Sequence, residues 1–393
     1  MVGIDIISVD KIKEKNEDFL RKVFTQNELS YSFNKENPYQ TLAGIYALKE
    51  ATIKAYDLDF SYLYKSKIEV LHKYNRPLIL IDKNKVKASV SISHDEGRAI
   101  GVCIMGEKEK ISIDKNIKSL LKPRDKKSHK GNYGRIAILG GSSGMAGSVY
   151  LASKASLRTG AGLVYLICPQ SISDILQIKS CEQIINPIDS YNLKYNKLIF
   201  KQVLGYLDNK DVLAIGPGMG KGFGLNRLIA DVLSVFKGKI VIDADGLNAI
   251  AKDKNILHNK NNIILTPHLM EFSRLTGLSL DNINSDRINI AKNFAKTYKV
   301  ILVLKSESTI VTDGSKLYIN KIGNPGMATA GCGDVLTGVI AGLIPRLNQF
   351  EAAKLGVYLH SLAADMATFD MGEDSLIASD IIEYLPKAMR LLR

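Results

Sequence analysis

From Arg135 onward the chain repeats one local pattern that leaves few choices of architecture. Ile136-Ala137-Ile138-Leu139 runs into Gly140-Gly141, and a helical stretch over about residues 144–159 leads to a second apolar run at Leu163–Ile167. Val212–Ile215 then precedes Gly216-Pro217-Gly218, and Ile240–Ile242 precedes Asp243-Ala244-Asp245. Ile263–Leu265 precedes Thr266-Pro267-His268, and Val300–Leu304 precedes Lys305. Each run is too short for a helix, β-branched, and apolar at consecutive rather than alternate positions. Strands buried on both faces have this composition, and both faces are buried when helical crossovers cover a parallel sheet. Ligands bind such sheets beyond the C-terminal strand ends. The Gly, Asp, His and Lys residues that close these runs are therefore the first candidates for chemistry.

The 393 residues exceed one ordinary core. The texture changes near residue 110, so we expect two domains, 1–110 and 111–393. A short helix is expected over Asp114–Leu121, stopped by Pro123. The content of 46% hydrophobic and 24% charged residues is that of a soluble globular chain. No stretch is long and apolar enough for a bilayer, and Met1-Val2-Gly3-Ile4-Asp5 does not open a signal peptide, so a cytoplasmic protein with no membrane partner is expected. The net charge of +13 is unevenly placed: residues 1–110 carry 18 basic and 16 acidic groups, whereas 111–134 carry 7 and 2. Without interleaved aromatics, this basic segment reads as a solvated connector, and no nucleic-acid partner is expected. Cys103, Cys168, Cys181 and Cys332 form no Cys-x-x-Cys pair and no zinc-site spacing, so free thiols are expected.

The most informative segment is Asn324-Pro325-Gly326-Met327-Ala328-Thr329-Ala330-Gly331-Cys332-Gly333-Asp334, leading into an apolar helix at Val335–Leu343. Small residues before a helix N-terminus let main-chain amides form an anion hole that bulkier side chains would block. An acid at its mouth repels phosphate. Asp334 suits a base that takes a proton from a hydroxyl attacking phosphorus, or else a helix N-cap. For this motif alone the two readings stand level. Gly140–Gly147 lacks the lysine of a Walker A loop and reads as a substrate-side turn, and His360, in an apolar helical stretch, reads as a packed structural histidine.

Gly331-x-Gly333-Asp334-x-x-x-Gly338 resembles a signature of ribokinase-like enzymes. With Ser128–Arg135, Gly140–Gly147, Gly216-Pro217-Gly218, Asp243–Asn248, Thr266-Pro267-His268-x-x-Glu271 and Val357–His360, it resembles the ADP- or ATP-dependent NAD(P)H-hydrate dehydratases over about residues 115–393. The resemblance implies an α/β ribokinase-like parallel-sheet sandwich. It implies that Asp334 acts as base on the C6 hydroxyl of hydrated NADH or NADPH (NADHX, NADPHX). Gly331, Cys332 and Gly333 would offer amides to the transferring phosphate. Lys305, Ser306, Glu307, Ser308 and Thr309, with Gly333, would hold ADP or ATP, accompanied by magnesium. Ser148, Gly218 and His268, with Asp334, would touch the hydrated dinucleotide. The chain has Ala330 and Cys332 where the family has Gly and Thr or Ser, and Glu307 inside a usually Gly-rich nucleotide segment.

In the N-terminal part, Asp5 interrupts the apolar run Val2–Ile7, and Glu50 lies in a helical segment with Lys54 one turn on. A Glu50–Lys54 surface pair, or two carboxylates sharing a magnesium with substrate phosphates, would each account for them. Gly3-Ile4-Asp5, Phe24-Thr25-x-x-Glu28, Leu42-Ala43-Gly44, Lys49-Glu50-Ala51 and Ser91-Ile92-Ser93-His94 resemble the holo-acyl-carrier-protein synthases over about residues 1–106. This implies a small α+β phosphopantetheinyl transferase-like domain in a homo-oligomer. Asp5 and Glu50 would bind Mg²⁺, Lys54 and His94 would contact coenzyme A, and an acyl carrier protein would be the acceptor. The competing expectation is a ribokinase-like kinase for a vitamin alcohol, with an inactive N-terminal oligomerisation module.

Overall fold

The structure is a computed structural model. It describes residues 1–64, 67–73, 76–86, 88–105, 115–258 and 260–393. The chain divides into two compact units, Met1–Ser112 and Ile113–Arg393. The boundary expected between 110 and 111, and the Asp114 start of the expected short helix, lie outside the described residues. That helix is observed over Lys115–Lys118.

In the first unit, β1 (Val2–Ser8), β5 (Ala88–Asp95) and β6 (Arg98–Met105) form an antiparallel sheet in the order β1-β6-β5. A second sheet is built from β2 (Ile68–Lys73), β3 (Arg76–Ile81) and β4 (Asn84–Lys85). The helix Pro38–Tyr56 buries Leu42, Ile45, Leu48 and Ala51 in the core of this unit. Proline at its first turn and the left-handed Asp57 at its end mark its limits. Its contact with the sheet is unusually close: a side chain on Gly3 would lie 1.9 Å from the Ala51 carbonyl oxygen.

The second unit is the α/β ribokinase-like sandwich. Its nine strands are β7 (Arg135–Leu139), β8 (Leu163–Pro169), β9 (Ile184–Ile188), β10 (Val212–Ile215), β11 (Lys239–Ile242), β12 (Ile263–Leu265), β13 (Ile301–Leu304), β14 (Ile310–Thr312) and β15 (Leu317–Ile319). Their order is β15-β14-β13-β12-β11-β10-β7-β8-β9. The seven strands from β7 to β13 pair in parallel, and β14 and β15 add an antiparallel hairpin at one edge. That edge is antiparallel because only two short turns separate β13, β14 and β15, too little chain for a crossover.

Alternation along the strands splits the core in two. Ile136 and Ile138 pack on one side with Val241, Val335 and Val339. Ala137 and Leu139 pack on the other with Ile240, Leu228 and Phe272. On the first side the helix Cys332–Leu343 crosses Ala146–Arg158 so closely that a side chain on Gly338 would lie 2.0 Å from the Ala152 carbonyl oxygen. The Ser156 hydroxyl donates to the Gly338 carbonyl (2.8 Å), fixing the same crossing. No helix among the described residues is long and apolar enough to cross a membrane.

The crossing at Gly338 supports a stability prediction. Gly338→Ala forces two backbones apart, and overpacking of this kind costs about 3 kcal/mol. Urea denaturation followed by circular dichroism should show a correspondingly lower midpoint for the variant.

Candidate active site

Strand order reverses between β7 and β10: the chain leaves β7 toward β8 and β9, then returns to β7's other side. The crevice at such a switch opens at the C-terminal strand ends. The two turns there are locked together. The Gly141 N–H donates to the Pro217 carbonyl (2.8 Å), and the Ser142 hydroxyl to the Gly218 carbonyl (2.9 Å). Gly218 lies against Ser148 at the start of the helix Ala146–Arg158; a side chain on Gly218 would meet the Ser148 Cβ at 3.0 Å. Two of the expected substrate-side residues are thus neighbours.

The phosphate helix begins earlier than expected, at Cys332 rather than Val335. Its N-cap is Gly331, in left-handed conformation at φ 91°, and no side chain caps this end. Asp334 sits inside the first turn, which corrects the N-cap reading. Its carboxylate hydrogen-bonds the Ser148 hydroxyl. Burial, and after it the negative charge of Asp243, push the Asp334 carboxyl up to about 6. Cys332 is buried, and burial pushes its thiol up to about 11, so it stays protonated and unreactive at neutral pH. Its amide lies 3.4 Å from the Thr329 carbonyl, a weak contact that leaves the uncapped turn available to a ligand.

Below Asp334 lies a group that the motif reading left without a role. Asp243, at the end of β11, is 1% exposed. It accepts from Lys305 Nζ (2.8 Å) and from the Thr337 hydroxyl on the phosphate helix (2.8 Å). A side chain on Gly333 would meet Lys305 Nζ at 3.3 Å, so the lysine lies directly beside the first turn of that helix. Burial lowers the Lys305 pKa, but Asp243 and Glu271 outweigh it and hold the ammonium charged. The sequence signal for Asp243 was available, an acid closing a buried strand. Its partner Thr337, one turn into an apolar helix, carried none. Between the acids Asp243 and Asp245, Ala244 adopts φ 49°, a conformation that L residues rarely hold.

His268 caps the helix Leu269–Thr276. Its Nδ1 accepts from the Met270 and Glu271 amides, while Glu271 accepts from the His268 N–H (2.9 Å). Burial, with the charges of Lys305 and Arg274, lowers the His268 pKa and keeps the ring neutral, with its proton on Nε2.

A cavity of about 830 Å³ opens on one side of this cluster, lined by His268, Lys305, Ser306, Glu307, Thr309, Cys332 and Gly333 among others. Ser308 is not part of its lining; its N–H lies 3.3 Å from the Ser306 hydroxyl within the turn. Glu307 turns its carboxylate outward to Arg287 (2.8 Å), which removes the expected clash with a nucleotide. His360 lines the cavity but is 5% exposed, and burial pushes its pKa down to about 4, so the ring is neutral packing, as its apolar setting indicated. A second cavity, of about 430 Å³, reaches Asp245 and Arg274. Lys305 and His268 line the larger cavity, and Asp245, which lines the smaller one, acts electrostatically on Asp334.

The first unit holds a separate constellation. With the helix pressed onto β1, Lys54 Nζ reaches Asp5 Oδ1 (2.6 Å) and the Ile4 carbonyl (3.2 Å). Glu50 adjoins Asp5, and its carboxyl is pushed up to about 7, first by burial and then by Asp5. The Glu50–Lys54 surface pair is therefore replaced by a three-membered group centred on Asp5. His94 stands apart; its Nε2 lies over Gly44, six helical residues or roughly 9 Å from Glu50. Two adjoining carboxylates are a donor set that fits magnesium completed by substrate phosphates. Among the described residues no group of three or more His, Cys, Asp or Glu could hold a metal unaided.

Comparison with known proteins adds the following. Residues 136–387 match the family model described as NAD(P)H-hydrate dehydratase, and residues 1–103 match that of the 4'-phosphopantetheinyl transferase superfamily. The chain is 39% identical over 280 residues to the bifunctional NAD(P)H-hydrate repair enzyme of Moorella thermoacetica, covering 70% of this chain and 53% of that one. It is 33% identical over 270 residues to the ADP-dependent (S)-NAD(P)H-hydrate dehydratase of Neisseria meningitidis, covering 67% of this chain and 87% of that one. The chain therefore spans about half the length of the bifunctional relatives it matches. Among solved structures, a ribokinase-like superfamily protein of Enterococcus faecalis superposes with a TM-score of 0.63 at 25% identity, over 71% of this chain and 95% of its own. The Bacillus subtilis ADP/ATP-dependent NAD(P)H-hydrate dehydratase, co-crystallised with ATP and Mg²⁺, superposes with a TM-score of 0.59 at 25% identity, over 70% and 96%.

The raised Asp334 carboxyl has a consequence for stability. A carboxyl held above its unfolded pKa adds stability below that pKa, and loses it as pH rises through about 6. Asp334→Asn should therefore raise the melting temperature at pH 8, on the order of 1–2 kcal/mol after solvent screening, and change it little at pH 4. Thermal scans at the two pH values check this.

Proposed function

The chain belongs to the NAD(P)H-hydrate dehydratase family, and from that premise we propose that its second unit restores hydrated NADH and NADPH at the expense of ADP or ATP. The observation that carries this reading is Asp334: a carboxylate inside the first turn of an uncapped helix, with the Lys305 ammonium beside that turn and a cavity lined by Lys305, Cys332 and Gly333.

The nucleotide lies in the larger cavity along Lys305–Thr309, and its terminal phosphate reaches the amides of Gly331, Cys332 and Gly333. Helix N–H groups and Lys305 stabilise the charge that spreads over the transferring phosphoryl group. The hydrated ring approaches past Ser148, Gly218 and His268. As the C6 hydroxyl oxygen bonds to phosphorus, Asp334 takes its proton, and the bond to the nucleotide's bridging oxygen breaks. Phosphate then leaves C6 with the C–O electron pair, C5 loses a proton, and the dihydropyridine is restored. The same substitution explains why a nucleotide is spent at all: hydroxide leaves poorly and phosphate leaves well. Asp243 touches no substrate; it holds Lys305 and, through Thr337, the phosphate helix in register. Magnesium bound with the nucleotide would add neutralising charge at the phosphates.

For the first unit we propose transfer of phosphopantetheine from coenzyme A to an acyl carrier protein. Asp5 and Glu50 hold Mg²⁺, which would neutralise the coenzyme A diphosphate, and Lys54 and His94 bind coenzyme A. The unit works as a homo-oligomer. Val2, Ile4 and Ile6 of β1, with Ile100 and Ile104 of β6, leave an apolar sheet face exposed, which supports self-association.

Asp334→Asn should lower dehydration of hydrated NADH at least about 100-fold, the range of a lost general base, while ADP still binds. The wild-type rate should rise with pH through about 6 and then level off, because the base must be ionised. Recovery of dihydropyridine absorbance with ADP or ATP measures both; a stable phosphorylated product would instead identify a kinase. Asp5→Ala and Glu50→Ala should each abolish pantetheine transfer and leave dehydration intact. Mass spectrometry of the carrier protein decides that, and transfer retained in either variant removes the shared-metal assignment.

A further inference from the structure

We propose that the smaller cavity receives the distal nucleotide half of the hydrated dinucleotide, its phosphates held by Lys221, Lys252 and Arg274. This rests on the dehydratase reading and extends it to substrate selection.

Three observations carry the inference. The first is charge. Lys221 on the glycine-rich loop 220–224, Lys252 beyond the helix Ala244–Ile250, and Arg274 on Leu269–Thr276 bring three cations from three elements to one cavity. The acid in its wall, Asp245, already accepts the Gly220 N–H (2.8 Å). Arg274 gives one N–H to Asn248 (2.9 Å) and keeps the rest of its fork for a ligand. Among the described residues, Lys221 and Lys252 have no carboxylate at ion-pairing distance. Convergent cations around a concave surface attract a polyanion, and an arginine fork suits phosphate oxygens.

The second is the entrance. The cavity wall begins at Gly220, two residues past Gly218, which lies against Ser148. The third is position. Asp245 lines this cavity and also acts electrostatically on Asp334, while Arg274 acts on His268. A substrate whose nicotinamide ring sits at Asp334 can therefore extend its other half into the smaller cavity, leaving the larger one to the phosphoryl donor. Hydrated NADPH carries one more phosphate on that half than hydrated NADH, so the three cations favour the phosphorylated form.

Binding of the products themselves tests this without turnover. The full chain is titrated with NADPH, NADH and reduced nicotinamide mononucleotide, which lacks the distal half, and dihydropyridine fluorescence is followed. Lys221→Gln with Lys252→Gln should weaken NADPH about tenfold or more and NADH less. The mononucleotide and the KM for ADP should keep their wild-type values. Lys→Arg at both lysines should restore NADPH binding. An equal loss for the mononucleotide, a raised KM for ADP, or unchanged NADPH affinity each overturns the assignment. If the wild type turns over hydrated NADPH while the double variant binds NADPH normally, this inference alone falls. If the wild type neither binds nor turns over the dinucleotides, the dehydratase reading falls and takes the subsite with it.

Discussion

A carboxylate stripped of water must be compensated where it stands, and in the second unit that requirement organises everything around it. Asp243 meets it with the Lys305 ammonium from the end of β13 and the Thr337 hydroxyl from the phosphate helix. Buried ion pairs of this kind add little net stability, because desolvation offsets the attraction. What the pair provides is geometry. It ties two strand ends to the helix Cys332–Leu343, whose first turn carries Asp334. It also sets electrostatics, since the charge of Asp243 helps to lift the Asp334 carboxyl toward neutrality, where a base is most effective.

The first unit shows how to tell such a pair from a purely structural one. Glu28 and Lys49 are both buried and lie 2.7 Å apart. Glu28 also accepts the Thr25 and Val70 amides, and Lys49 donates to the Val23 carbonyl. Both charged groups are thus engaged by several partners, so this pair closes a core. Asp5 and Glu50 are different. Asp5 takes the one lysine, and Glu50 is left with its carboxyl pushed up to about 7. That imbalance is what a cation would relieve.

The departures from family pattern turn out to have local explanations. Glu307, which lines the larger cavity, has its carboxylate engaged by Arg287, twenty residues earlier in the chain. Cys332 contributes no side-chain chemistry, because burial holds its thiol protonated; what it presents is backbone. His360, one of the motif residues, is neutral packing. In each case the residue type alone pointed to a conflict, and the direction of the side chain resolved it.

The fold class was legible because burial on both faces leaves an unbroken apolar signature, and the candidate residues because Gly, Asp, His and Lys punctuate the strand ends. Asp334, Lys305, His268, Asp5 and Glu50 could be singled out in the same way, as polar residues in settings that penalise them. The edge hairpin β14–β15 was missed because such short strands carry little periodicity. Thr337 was missed because a hydroxyl in an apolar helix looks like any tolerated polar residue. Only the folded chain decides that Lys54 answers Asp5 rather than Glu50, that His94 Nε2 lies over Gly44, and that Asp334 stands inside its helix instead of capping it. Those outcomes depend on distances between segments far apart in sequence, which are set by how closely helices and strands pack, whereas periodicity records only which face of each segment avoids water.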